Sequence, residues 1–358
     1  MSIPVPAAAG QVAPTDADPH ARWMTRAFEL AERARGRTSP NPFVGCVIVR
    51  DGGVVGEGWT QPPGGSHAEV VALGHAGDAA RGSTVYVTLE PCAHTGRTPP
   101  CTQALIAAGV TRVVAALADP NPVATGGAAR LRAAGISVDL DVAVQRARRQ
   151  HEVFLHGLVH HRPFVVAKVA SSLDGHIADH TGRSQWITGP EARRRSHALR
   201  AEADAVMVGS GTALADDPRL TVRLDGYDGP QPTRVVLDRR GRTRGEDLTM
   251  LHDDAAATLV LDAPTPALAL DRLAEEGISS VLLEGGAALL GAFVSADLVD
   301  RYEVHLAGLL LGSGLPGVAG AFDLANAPRL ELASAVLCGD DVLVTAYPRR
   351  ADDTLRSQ

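Results

Sequence analysis

Apolar residues recur along this chain with two different periods, and the alternation between them predicts its elements. Over residues 20–35, Trp23, Ala27, Leu30 and Ala31 share one face at helical spacing. The proline-bracketed turn Ser39-Pro40-Asn41-Pro42 leads into an unbroken apolar run over 43–49, a strand. Asp51-Gly52-Gly53 then turns the chain into a second strand over 54–59. Residues 68–76 read as a helix with His67 and Glu69 in its first turn, and 85–89 as a buried strand. A helix over 102–108, a strand over 112–117 and a helix ending near Gly135 follow, with the turn Asp119-Pro120-Asn121-Pro122 between the last two. The order α-β-β-α-β-α-β-α predicts a three-layer α/β domain around a central sheet.

A basic, histidine-bearing stretch over 145–162 ends in His160-His161-Arg162-Pro163 and reads as an interdomain helix and linker. Beyond it, apolar strands over 164–170, 205–209 and 280–283 each run into glycines or small polar residues. A polar loop over 182–189 leads to a helix opening at Pro190. The expected division is a disordered, Ala- and Pro-rich tail over 1–20, one domain over 21–160 and a second over 161–358.

Composition narrows the class. A chain of 358 residues suggests about two domains, and 45% hydrophobic content is enough for packed cores. No apolar run approaches the ~20 residues of a membrane span, and the first residues lack a secretion signal's basic and apolar regions. Four cysteines build no disulfide framework, which fits a cytoplasmic protein. A net charge of −7 without a basic tract argues against a nucleic-acid partner; no membrane partner is expected either.

The candidate chemistry lies between Ser66 and Cys101. His67, Cys92 and Cys101 are enough to hold a zinc ion and leave one coordination position open. Glu69, two residues after His67, stands close enough to move protons without ligating. H-x-E with P-C is the zinc deaminase signature, although eight residues rather than two separate the cysteines here. The competing reading makes both cysteines buried apolar residues. Two glycine sites could cradle phosphate: Gly209-x-Gly211, and Glu284-Gly285-Gly286 between a strand and a helix. Lys168 is the only lysine among 34 Lys and Arg residues, and it sits on an apolar strand.

These motifs together resemble the bifunctional deaminase/reductases of riboflavin biosynthesis. In the first half the resemblance rests on Pro40-Asn41-Pro42, Val44-Gly45-Cys46, His67-Ala68-Glu69-Val70, Thr88 through Cys101, and Asp119-Pro120-Asn121-Pro122. In the second it rests on Ser172-Leu173-Asp174-Gly175, Ser184 through Thr188, Gly211 through Pro218, Glu284-Gly285-Gly286 and Leu310-Leu311-Gly312. It implies a cytidine-deaminase-like three-layer domain followed by a dihydrofolate-reductase-like domain, with zinc and NADPH as cofactors and a homodimeric assembly. It makes His67, Cys92 and Cys101 the zinc ligands and Glu69 the proton shuttle. Asn41, His94 and Arg97 become contacts to a phosphorylated pyrimidine substrate. NADPH is expected near Ala170, Trp186, Thr212, Asp216, Gly286, Ala287, Ala288, Leu289, Leu290, Gly291 and Ala292, with Arg239 reaching the 2′-phosphate. Ser184, Arg200, Leu220, Arg223 and Glu284 are expected at the reductase substrate. Independently of the resemblance, the sole lysine, Lys168, is expected to be catalytic there, because an ammonium is a compact donor that shifts its pKa readily when buried. Two other readings remain open at this point: a deaminase of another nucleoside or nucleobase, and a second domain that binds nucleotide without reducing anything.

Overall fold

A computed structural model describes residues 20–96 and 99–350, so the expected tail lies almost wholly outside the described residues, and Arg97 lies outside them altogether. The described chain falls into two compact units that part between His160 and His161.

The first unit runs α1 (Ala21–Ala31), β1 (Gly45–Arg50), β2 (Gly53–Trp59), α2 (Ala68–Ala76), β3 (Thr84–Val87), α3 (Cys101–Ala108), β4 (Arg112–Ala115), α4 (Gly127–Ala133), β5 (Ser137–Asp139), α5 (Val144–Gln150) and α6 (Glu152–His160). Its sheet has the order β2-β1-β3-β4-β5, antiparallel on the β2-β1-β3 side and parallel from β3 onward. The pleat explains its layers. Gly45 pairs with Trp59 and faces α1, where an added Cβ would lie 1.9 Å from the Ala27 carbonyl oxygen. Cys46 pairs with Gly58 and faces the opposite side, where α2 packs. Cβ atoms on Gly56 and Gly58 would meet the carbonyl oxygens of Ala72 and Ala68 at 2.2 and 2.3 Å. The two glycines therefore admit the Ala68, Ala72 and Ala76 stripe of α2 directly onto the sheet, and this approach fixes where the helix begins.

β5 was not expected from sequence. Three residues are too short for a period of two to register, and their strand character comes from pairing with β4. The supposed interdomain helix and linker is two helices, α5 and α6, both counted with the first unit.

The second unit runs β6 (Phe164–Ser172), β7 (His176–Asp179), α7 (Pro190–Glu202), β8 (Ala205–Gly209), α8 (Ser210–Asp216), β9 (Thr233–Leu237), α9 (Thr249–His252), β10 (Thr258–Leu261), α10 (Pro266–Glu275), β11 (Ser280–Leu283), α11 (Ala287–Ser295), β12 (Arg301–Ala307), β13 (Gly314–Pro316), β14 (Leu330–Cys338) and β15 (Asp341–Pro348). Eight strands form one sheet in the order β10-β9-β8-β11-β6-β12-β15-β14. The strands from β10 to β12 are parallel, and β15 and β14 close it antiparallel. Unbroken apolar runs suit parallel strands covered on both faces. On one face Ala167, Met207, Val235, Leu283 and Tyr302 pack with Leu270 and Leu273 of α10 and Leu290 and Phe293 of α11. The other face is more polar: Lys168 on β6 is the register partner of Glu303 on β12, and Glu303 is buried. No helix among the described residues is long and apolar enough to cross a membrane.

Candidate active sites

In the first unit the chemistry gathers where the parallel strands end and two helices begin, the usual place for a ligand in such sheets. His67 is the N-cap of α2, and Cys101 is the first residue of α3. Cys92 follows β3 through Glu90-Pro91. His67 Nδ1 lies 3.2 Å from Cys101 Sγ and 3.7 Å from Cys92 Sγ. All three donor atoms fall within 4.8 Å of one another. A tetrahedral zinc with ordinary Zn–N and Zn–S bonds spaces such donors by roughly 3.6–3.8 Å, so this set fits the ion. The Cys101 amide, in the first turn of α3, donates to Cys92 Sγ at 3.4 Å. Cys92 is pulled well below the thiol range, chiefly by its bond with Cys101, and the same bond holds Cys101 up.

Glu69 is 4% exposed, and burial pushes its carboxyl up to about 6. A carboxyl poised near neutrality is suited to both taking and giving a proton. The buried Cys46 thiol is held up by its own burial and by the nearby Glu69 charge. His67, Glu69 and Cys92 open onto a cavity of about 370 Å³, which Asn41 and His94 also line. His94 Nδ1 is buried without a hydrogen-bond partner.

Sequence reasoning gave no role to Glu90, yet Glu90 ties the site together. Its Oε2 accepts from the Asp119 amide at 3.1 Å and its Oε1 from the Ala128 amide at 2.7 Å. The loop after β3 is thereby joined to the loop after β4, and Asp119 and Asn121 are brought to the cavity wall with Phe154 of α6. A buried acid just before the Pro-Cys pair was the available signal. Gly127 belongs to the same joint: a Cβ there would stand 1.9 Å from the Pro91 carbonyl oxygen, which is backbone and cannot give way. Gly127→Ala is expected to cost about 1–3 kcal/mol, as overpacking does, and to lower zinc occupancy by displacing Cys92. A parent-like melting temperature together with full metal content would show that the joint is not needed.

In the second unit the two glycine sites prove to be one place. β8 and β11 are neighbours, and the Gly286 amide donates to Thr212 Oγ1 at 3.0 Å. Helix α11 opens at Gly286 without a side-chain cap, so its first-turn amides can meet an anionic group. That fits the pyrophosphate of a dinucleotide. Gly286, Ala287 and the exposed Ala288 lie at this helix start. Leu289 and Leu290 instead point into the core, and Gly291 faces Ala319, where a Cβ would come within 1.7 Å of its carbonyl oxygen. Ala292 is exposed farther along the helix. Ala170 is half-buried on β6, and Asp216 is exposed at the end of α8. Trp186 is 68% exposed, with the Arg193 guanidinium 4.7 Å over its ring. Arg239 is exposed just beyond β9. Arg242, which sequence reasoning passed over, brings its guanidinium within 3.7 Å of the Cβ position of Gly211.

Of the residues expected at the reductase substrate, Arg200 and Glu284 form a two-pronged ion pair, Nε–Oε1 2.6 Å and Nη2–Oε2 2.9 Å. Arg200 and Lys168 hold the Glu284 carboxyl down to about 2 against its burial. Lys168 is half-buried on the same stretch of sheet, and burial lowers its ammonium despite the opposing Glu284 charge. Arg223 is exposed, Leu220 is buried, and Ser184 is half-buried in the loop before α7.

Comparison with known proteins agrees with both halves. Residues 17–117 match the cytidine and deoxycytidylate deaminase zinc-binding region, and residues 163–344 match the RibD C-terminal domain. The riboflavin biosynthesis protein RibD of Escherichia coli is 42% identical over 355 residues, covering 89% of this chain and 97% of its own. The same protein of Mycobacterium tuberculosis is 44% identical over 332 residues, covering 91% of this chain and 96% of its own. A crystal structure from Thermotoga maritima, described as a diaminohydroxyphosphoribosylaminopyrimidine deaminase/5-amino-6-(5-phosphoribosylamino)uracil reductase, superposes with a TM-score of 0.87 at 36% identity, over 92% of this chain and 99% of that one. Acinetobacter baumannii RibD gives a TM-score of 0.84 at 38% identity, over 93% and 99%. A zinc-deaminase half joined to a RibD reductase half along a single chain, with relatives this similar over nearly their whole length, means that the chain belongs to the RibD family of bifunctional riboflavin-biosynthesis deaminase/reductases.

Proposed function

We propose that the first unit hydrolyses the 2-amino group of 2,5-diamino-6-ribosylamino-4(3H)-pyrimidinone 5′-phosphate, and that the second reduces the ribosyl group of the product to ribityl with NADPH. The observation that carries this reading is the convergence of His67, Cys92 and Cys101 beside a buried Glu69 at one cavity. His67 Nδ1 and the two cysteine sulfurs would hold zinc, which when bound would supply the Lewis acidity that makes water nucleophilic near neutral pH. Glu69 takes a proton from the attacking water and returns it to the departing nitrogen, so that ammonia leaves and a carbonyl remains. Asn41 and His94, both on the cavity wall, and Arg97 orient the substrate.

In the second unit the amides opening α11 would hold the pyrophosphate of NADPH, which when bound would supply the hydride. Thr212, Ala170, Trp186 and Asp216 flank it, and Arg239 offers a cation to the 2′-phosphate. Glu284, kept ionised by Arg200, lies beside Lys168, whose ammonium hydrogen-bonds the ribose and delivers a proton to its ring oxygen as the ring opens. Ser184, Leu220 and Arg223 complete the substrate side, with Arg223 suited to the phosphate. The protein works in the cytoplasm as a homodimer, without nucleic-acid or membrane partners, a reading supported by its acidic charge and the family resemblance.

Ammonia release and NADPH oxidation followed in parallel test this assignment. Deamination should proceed without NADPH, and NADPH oxidation should require the deaminated compound. Deaminated product accumulating in the presence of NADPH would leave the second unit a nucleotide binder without reductase activity. Lys168→Arg keeps the charge but not the compact donor, and is expected to cut reductase turnover about 10²-fold or more while NADPH affinity and deamination hold. Reduction at the parent rate would withdraw the lysine from the mechanism.

A further inference from the structure

We propose that His197 and Gln231 are positioning residues of the reductase: together they hold the backbone of residues 220–223 in the form that presents Arg223 to the phosphorylated substrate. The inference rests on the reductase reading above and adds two residues to which that reading gives no role.

The segment lies between α8 and β9 and belongs to no helix or strand, yet Leu220, Thr221 and Val222 are only 2, 7 and 5% exposed. Leu220 has φ 54, a left-handed conformation that a bulky side chain adopts only where its surroundings enforce it. Buried backbone outside regular structure must find its hydrogen bonds elsewhere. Here three side chains supply them. Gln231 Oε1 accepts from the Val222 amide at 2.7 Å, and its Nε2 donates to the Val222 carbonyl at 3.2 Å, so one amide group takes the place of a neighbouring strand. Arg200 Nη1 donates to the Thr221 carbonyl at 3.0 Å while its other nitrogens hold Glu284. His197 Nδ1 accepts from the Arg223 amide at 3.2 Å.

The direction of that last bond has a chemical consequence. A backbone amide only donates, so Nδ1 must be the unprotonated nitrogen. Burial, with the Arg200 and Arg223 cations beside it, pushes the imidazole down to about 4, which keeps the acceptor available at neutral pH. His197 and Arg200 are three residues apart on α7 and therefore neighbours on its surface, so one helix ties the loop at Thr221 and at Arg223, on either side of Val222. Arg223 in turn folds back on the loop, its Nη1 lying 3.2 Å from Thr221 Oγ1. Where its cation sits is thus inherited from the backbone that His197 and Gln231 fix.

The test uses the full chain, with the deaminated pyrimidine phosphate as the reductase substrate. His197→Leu and Gln231→Leu are each expected to raise KM for that substrate roughly tenfold or more, as misplacement of a binding group does. NADPH affinity and ammonia release should stay at parent values, which also certifies that the variants fold. In His197→Asn, a side-chain oxygen can stand in for Nδ1, and KM should return to within about threefold of the parent. A parent KM in both leucine variants overturns the proposal, and so does an asparagine variant as impaired as the leucine one, because packing rather than the acceptor would then be what matters. Arg223→Ala separates the two levels. If it raises KM while the leucine variants do not, only the positioning role fails. If it too leaves KM unchanged, the phosphate-site reading fails with it.

Discussion

Replacing Cys92 or Cys101 by Ser, or stripping zinc from the parent with a chelator, is expected to abolish ammonia release while NADPH oxidation with the deaminated substrate continues. The argument begins with the donor set. Two sulfurs and one imidazole nitrogen lie within 4.8 Å of one another, at the start of α3, in the loop after β3 and at the N-cap of α2. A serine hydroxyl is a harder and less acidic donor than a thiol and does not replace a thiolate on zinc. The second effect follows from the division of the chain: the proposed reductase residues lie on β6, β8, β11 and α7, all beyond His160. Metal content, ammonia release and NADPH oxidation measured on the same preparations decide the matter. Parallel loss of both activities would mean that the metal site supports the whole chain and that the two units do not stand independently.

Glu69→Gln should retain zinc yet lose the ~10²–10⁴-fold acceleration that a positioned acid–base group contributes. The glutamine is nearly isosteric and keeps hydrogen-bonding capacity, so packing in the 4%-exposed site is preserved. What it lacks is a proton-accepting oxygen that also titrates near neutrality, and burial has brought the native carboxyl to about 6 for that task. Stoichiometric zinc with a collapsed kcat is the expected signature. Deamination at the parent rate would remove Glu69 from the mechanism, and loss of zinc would recast it as part of the metal's support.

How much of this was legible beforehand follows from what each feature depends on. His67 and Glu69 could be paired because only Ala68 separates them, and that short interval opens a helix whose start is marked by composition. Cys92 was within reach because an apolar strand and a proline precede it. Glu90 was not, because its partners, the amides of Asp119 and Ala128, come 29 and 38 residues later and backbone amides leave no trace in a sequence. The same holds for His197 and Gln231, whose targets are also backbone groups. The loop preceding Cys101 was legible as chemistry through its His94 and Arg97, but only His94 is among the described residues.

The two-part α/β class, the approximate elements and the type of chemistry could be read from the residues alone, since periodicity, turn residues and metal-ligand types act over a few neighbouring positions. That the two glycine sites are one became visible only in the folded chain. Gly209 and Gly286 are far apart along the chain, and they meet because β11 enters the sheet between β8 and β6. The fold also brings Leu289 and Leu290 into the core cluster and pairs Arg200 with Glu284 across the sheet. Strand order and side-chain partners across the sheet depend on pairing between distant segments, and pairing energy is spread over backbone groups that every residue carries alike.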